Sequence, residues 1–189
     1  MKSFAVIAAA LLMIAAGAGS AAAEEENIRA FFDGTLSIGS EPAGGFGKTT
    51  GFGVGESVDI TDSMKLSDKN AKFHLRGDLA YYKWDDMQFG FDVSYQRIIF
   101  FFGGRYFIPM SGRGGVAPYL EGGLELSYDD VEKANSAGTV IVTDINLGLA
   151  GGAGLEIPLA DDLVLGFNAR FHVIDGSFLT LGASLGVKL

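Results

Sequence analysis

The chain has 189 residues, 48% of them hydrophobic, with 28 glycines, 15 phenylalanines, 4 prolines, no cysteine and a formal charge of −9. The missing cysteine removes disulfides, thiolate metal sites and cysteine nucleophiles, and the acidic balance argues against nucleic-acid binding. Mean hydropathy is high at +0.28, yet beyond the first two dozen residues nothing approaches the ~18 consecutive apolar residues of a membrane helix, so the hydrophobicity must be spread over shorter elements.

The first 23 residues, MKSFAVIAAALLMIAAGAGSAAA, carry one positive charge at Lys2, an apolar run from Phe4 to Ala16 and an A-x-A pattern at Ala21 and Ala23 before Glu24. This is the pattern of a Sec-type signal peptide, and the run is short for a membrane anchor. Residues 24–189 are then one mature domain, and without a cysteine it is no lipoprotein.

The mature chain reads as repeated strands. IRAFFDGTLSIG (28–39) is a first strand, and glycine-rich GFGVGESVDI (51–60) reads as an extension of the loop after it. KFHLRGDLAYYKW (72–84) alternates, with Phe73, Leu75, Leu79 and Tyr81 opposite His74, Arg76, Asp78 and Tyr82. KWDD reads as a turn into QFGFDVSYQ (88–96), where Phe89, Phe91, Val93 and Tyr95 alternate with polar residues including Asp92. RIIFFFGGRYFIP (97–109) is an apolar run broken by Arg105, so two strands are expected to join near Gln96–Arg97 without Gly or Pro. PYLEGGLELSYDD (118–130) sets Leu120, Leu124 and Leu126 against Glu121 and Glu125. TDINLGLAGGAGLEIPL (143–159) and LVLGFNARFHVI (163–174) follow, the latter with Asn168, Arg170 and His172 on one face. Asp175-Gly176 is a hairpin signal, and SFLTLGASLGVKL closes the chain. No helical pattern of useful length appears after the leader.

Alternation is symmetric under exchange of faces, so a soluble sandwich and a membrane barrel both fit. Three features favour the barrel. Glycines stud the charged face, as a crowded concave interior requires. The apolar face is large or aliphatic on nearly every strand. Connections alternate in length, short at 84–87, 111–117 and 159–162 and long at 40–70 and 129–142, as in outer-membrane barrels. Lipid tolerates no open sheet edge, so the sheet must close. The expectation is an all-β, up-and-down antiparallel transmembrane β-barrel of eight strands, with ten as the alternative. His74, Arg76, Asp78, Asp92, Arg105, Glu121, Glu125, Glu156, Arg170 and His172 then face the lumen, and Trp84 reads as an interfacial aromatic beside Tyr81 and Tyr82.

GGAGLEIPLADDLVLGFNARFHV, LTLGASLGVKL, GGRYFIP and PYLEGGLELSY resemble strands of the transmembrane domain of outer membrane protein A. The resemblance covers 87–189 by motif and 28–86 by pattern. It implies a bacterial outer-membrane location and lumen ion pairs, structural or gating, between Asp92 and Arg170 and between Arg105 and Glu156. It implies outer-membrane lipid as surroundings and, during biogenesis, the barrel-assembly machinery and periplasmic chaperones as partners, with a monomer as the product. The chain departs from the family in ending at Leu189 rather than an aromatic residue, and in lacking a peptidoglycan-binding domain, so cell-wall anchoring is not implied.

Other chemistry is weaker. Lipid A deacylases are also small barrels and use a His with a Ser two residues on, but here Ile174 stands in that position. His74 and His172 with Asp78 could ligate metal, yet histidines on separate strands are more simply hydrogen-bonded lumen residues. GLAGGAG (148–154) lacks the lysine and helix of a phosphate loop. No cofactor is expected. The leading expectation is a non-enzymatic barrel with a structural or surface-interaction role. A narrow gated pore for ions or small solutes is the alternative, and a lipid-modifying enzyme is third.

Overall fold

The computed structural model describes residues 28–40, 46–64, 66, 71–88, 91–110, 115–135 and 138–188. The expected leader, 1–23, lies outside them. Among the described residues eight strands follow one another: β1 Ile28–Ser40, β2 Phe46–Asp59, β3 Lys72–Gln88, β4 Phe91–Phe107, β5 Ala117–Asn135, β6 Gly138–Pro158, β7 Leu163–Val173 and β8 Ser177–Lys188. Each pairs antiparallel with the next, and β1 returns to β8 from Arg29↔Lys188 to Ser37↔Thr180, closing a barrel. Closure matters physically, because no backbone edge can stand unpaired in hydrocarbon.

The expected count of eight is reached by different strands. Residues 46–59 form β2, paired with β1 and with Thr50–Asp59 against Lys83–His74 of β3. Its glycines hide the alternation but fit close backbone approach: a Cβ at Gly51 would lie 2.5 Å from the Tyr82 ring. Conversely, 91–107 is one continuous strand, with no turn at Gln96–Arg97, and KWDD runs inside β3.

The loop pattern is corrected too. The start of β1 and the finish of β8 lie at one end of the barrel, here the terminal end, with connections 60–71, 108–116 and 159–162. The far end has 41–45, 89–90, 136–137 and 174–176, all short. The stretch expected as a long loop, 129–142, is instead the paired tip of β5 and β6. At the 174–176 connection, Asp175 and Gly176 both have positive φ, 42° and 100°, as a tight hairpin demands.

The outer wall carries Phe100, Phe102, Leu120, Leu124, Leu126, Leu147, Leu149, Phe167, Phe171, Leu181 and Leu185, all exposed. Along β4 this band runs from Ile98 to Tyr106. At ~3.3 Å per residue and a tilt of ~40° it spans about 20 Å between the end Cα atoms, and the side chains beyond them bring it toward the ~25 Å apolar band of outer-membrane barrels. Its upper limit is sharp. Tyr81, Ile98, Tyr128 and Ile145 stand in one row across β3–β6, and the next outward row is Lys83, Gln96, Asp130 and Thr143. Beyond that row β3–β6 continue as a four-stranded sheet.

Candidate functional site

A continuous β4 fixes its own phase. Arg105 points into the barrel, so the other odd-numbered residues of the strand do as well, including Arg97, Ile99 and Phe101, all at or below 1% exposure. Asp92 is therefore on the outer face, exposed, opposite Ala134 near the hairpin tip. The expected Asp92–Arg170 pair does not exist. The polarity of QFGFDVSYQ reverses above the apolar band: Tyr95 turns inward, and Ser94 and Gln96 turn outward.

Arg170 instead holds Asp78 through Nη1 and Nη2 at 3.0 and 2.9 Å, and its Nε donates to Glu121 Oε1 at 2.9 Å. Arg105 donates to Glu121 Oε2 through Nη2 at 2.9 Å and to Glu156 Oε1 through Nη1 at 2.7 Å. Arg76 Nε donates to Asp78 Oδ2 at 2.7 Å. The side chains form one chain of alternating sign, Glu156–Arg105–Glu121–Arg170–Asp78–Arg76. Buried charge is tolerable only when paired and hydrogen-bonded in this way. Register explains the meeting: His74, Arg105, Glu121, Gly152, Arg170 and Thr180 occupy one inward row around β3–β8.

Aromatic rings and glycines shape the space. The Arg105 guanidinium lies 3.8 Å from the Tyr119 ring centroid, and that of Arg170 lies 4.1 Å from Phe101, both within cation–π range. Gly154 lets the Tyr119 ring lie flat on β6, since a Cβ there would approach Cζ to 2.4 Å. Toward the terminal end a vestibule reaches Ser57, Arg76, Arg105, Glu156, Gly166 and Ser184.

Farther along, His172 Nδ1 lies 2.8 Å from Glu125 Oε1 and Nε2 lies 2.9 Å from Thr180 Oγ1. The imidazole stacks on Phe178 at 4.3 Å. A hydroxyl, an imidazole and a carboxylate in line are the parts of a nucleophilic relay, but all three are buried, and the Thr180 hydroxyl also donates to Arg170 O. His74, at the terminal end, sits 3.6 Å from Asp59 Oδ2 and packs on Phe107. The two histidines are apart, and among the described residues no cluster of metal-ligating side chains occurs.

The sequence reading missed a second ionic centre. Arg97 Nε and Nη2 donate to Asp129 Oδ1 and Oδ2 at 2.6 and 2.8 Å, and Nη2 also donates to Tyr95 Oη. Asn146 Nδ2 and Ser127 Oγ donate to the same carboxylate, and Arg97 Nη1 donates to Ile174 O. The signal is present in the sequence: Asp129 shares parity with Glu121 and Glu125, but the expected loop over 129–142 takes it out of the strand. Over this centre lies a cap of Tyr82, Trp84, Ile99, Ile174 and Phe178, with Tyr95 packed against it. Trp84 is thus a lumen residue, 5% exposed, rather than an interfacial one. On the outer face beyond, Lys83 Nζ lies 3.1 Å from Asp85 Oδ2, and its hydrogen bond holds that carboxyl below the usual range.

No family model and no curated protein matches the chain. Solved structures do match. Ail, the attachment invasion locus protein of Yersinia pestis, aligns with a TM-score of 0.56 at 13% identity, over 86% of this chain and 97% of that one. The same protein in complex with the heparin analogue sucrose octasulfate aligns at 0.55 and 14%, over 85% and 99%. The outer membrane enzyme PagL aligns at 0.53 and 14%, over 84% and 99%. At such identities the likeness is one of fold: the chain is built as a small outer-membrane β-barrel.

Proposed function

We propose that the chain is a non-enzymatic, outer membrane protein A-like barrel of the bacterial outer membrane, exported by its leader, with a structural or surface-interaction role. The observation that carries this reading is the filled lumen. Two ionic centres and an aromatic cap occupy the interior, while four strands continue past the apolar band toward the outside. An eight-stranded barrel leaves an interior just wide enough for side chains to fill, and these side chains are mutually satisfied. The Glu125–His172–Thr180 relay is enclosed with them, which supports a packing role rather than catalysis on lipid.

The test is planar-bilayer recording of the purified wild type and of Arg170→Ala. Neither is expected to carry a resolvable unitary current. A stable unitary conductance in the wild type would replace this reading with the gated pore. The vestibule reaching Arg76 and Arg105 is the feature that favours that second reading.

A further inference from the structure

We propose that Glu56 is a lipid-binding residue on the outer wall of the barrel, which holds the primary ammonium of an aminophospholipid headgroup in the leaflet at the terminal end. The inference goes beyond the reading above, because it concerns the opposite half of the molecule and takes the membrane itself as ligand. Ser57 is buried and stands opposite buried Arg76, so β2 turns its odd-numbered residues inward there. Glu56 then shares the outward face with Phe52, which is 64% exposed. Its row runs through Gly77 to Phe102 and Leu124, both on the apolar wall. Among the described residues, no other charged side chain stands on that wall within the apolar band.

Its neighbours cannot neutralise it. Register places Ala30 and Gly77 on either side, Val54 and Val58 flank it along β2, and the diagonal positions on β3 are Leu75 and Leu79. A carboxylate without a counter-ion is costly on a lipid-facing wall. No residue in this ring of neighbours carries a positive charge, so the counter-charge is left to the surroundings. Depth says what those are. β2 ends at Asp59, three residues on. At ~3.3 Å per residue and a tilt of ~40° that is about 8 Å of height. A glutamate leaning along its strand from that depth meets the headgroups of the nearer leaflet, not the middle of the bilayer. Gly77 leaves room beside it: a Cβ there would meet no atom within 4 Å, so the wall is notched next to the carboxylate.

Chemistry selects the occupant. A primary ammonium brings a positive charge and N–H donors, which a carboxylate accepts in short charge-assisted hydrogen bonds. A quaternary ammonium brings the charge but no donor. A second copy in the same membrane would bring its own Glu56 to the same depth, a like charge. A lone carboxylate supplies too few oxygens to hold a divalent cation by itself.

The full chain is reconstituted in nanodiscs of equal parts ethanolamine and choline phospholipid with identical acyl chains, and the lipid it retains on release is identified by native mass spectrometry. Ethanolamine lipid is expected to be retained about fivefold or more over choline lipid, on the scale of one charge-assisted hydrogen bond. Titrated into choline discs, it should also shift the Gly77 amide resonance. Methylating the headgroup nitrogen stepwise should keep the preference until the last methyl removes the last donor. Glu56→Gln should bring the retention ratio toward parity, and Gly77→Leu, which fills the notch and leaves the charge, should lower it. Heat-modifiable gel migration confirms that each variant is folded. Equal retention of the two lipids by the wild type or an undiminished preference in Glu56→Gln would overturn the proposal. So would loss of the preference in chelator, which would make a bridging divalent cation the counter-ion, or a dimer that dissociates in Glu56→Gln.

Discussion

Arg97 and Asp129 meet across β4 and β5 through two charge-assisted hydrogen bonds, one residue inward of the row where the outer wall changes from apolar to polar. Four further groups converge on the pair: Tyr95, Ser127, Asn146 and the Ile174 carbonyl. It ties β4, β5, β6 and the β7–β8 turn together at the level where β7 stops. Truncating Asp129 leaves a guanidinium buried without its counter-ion. Asp129→Ala is expected to cost about 3–5 kcal/mol, read from urea unfolding in lipid vesicles. Arg97→Met combined with Asp129→Leu should recover most of that loss, and a double variant as unstable as the single would show that the charges themselves are needed.

Glu121 receives two arginines where Glu156 receives one of the same pair. Glu121→Ala is therefore expected to destabilise the barrel more than Glu156→Ala, by about 1.5–3 kcal/mol, the scale of one hydrogen bond to a charged group. Paired urea titrations decide it. Equal losses would mean that Arg105 and Arg170 find other acceptors when Glu121 is removed.

Gly154 faces the Tyr119 ring at a distance no Cβ tolerates. Gly154→Val should cost about 1–3 kcal/mol as an overpacking substitution. Adding Tyr119→Ala should reduce that penalty, so the two changes are non-additive. Strict additivity in the same unfolding assay would mean that the Phe167 carbonyl oxygen, which a Cβ at Gly154 would approach to 2.4 Å, sets the penalty rather than the ring.

The chain has no cysteine, so single-cysteine nitroxide labels need no background removal. Labels at Phe102 and Leu124 should be accessible to oxygen and shielded from a water-soluble nickel complex in vesicles. Labels at Ser94 and Glu132 should show the reverse. In the same frame, Leu124→Arg should cost about 2–4 kcal/mol, while Glu132→Arg, outside the bilayer, should stay within about 1. Nickel access at Phe102 would move the apolar band.

Much of this was legible from alternation alone. β7 and β8 were readable because both faces keep their period and Asp175-Gly176 marks the turn. The inward set of His74, Arg76, Asp78, Glu121, Glu125 and His172 follows from the same periodicity on β3, β5 and β7. The Arg105–Glu156 contact came from the family resemblance, not from spacing. What failed, failed for identifiable reasons. β2 is so rich in glycine that no period shows, and a glycine facing a ring counts as nothing in a pattern of side chains. In β4 the hydropathic phase reverses between Gln96 and Ile98 without any turn, because the surrounding solvent changes there and the backbone does not. Splitting the strand at that point misplaced Asp92 and hid Arg97 in the supposed join.

The row of Tyr81, Ile98, Tyr128 and Ile145 beneath Lys83, Gln96, Asp130 and Thr143 acts as a waterline. Lowering the barrel by one dyad would drown an acid and a lysine in hydrocarbon, and raising it would strand a ring of oily groups in water. The protein thus floats at one depth, and the height to which its sheet rises over the membrane is written into the chain rather than left to the thickness of the bilayer around it.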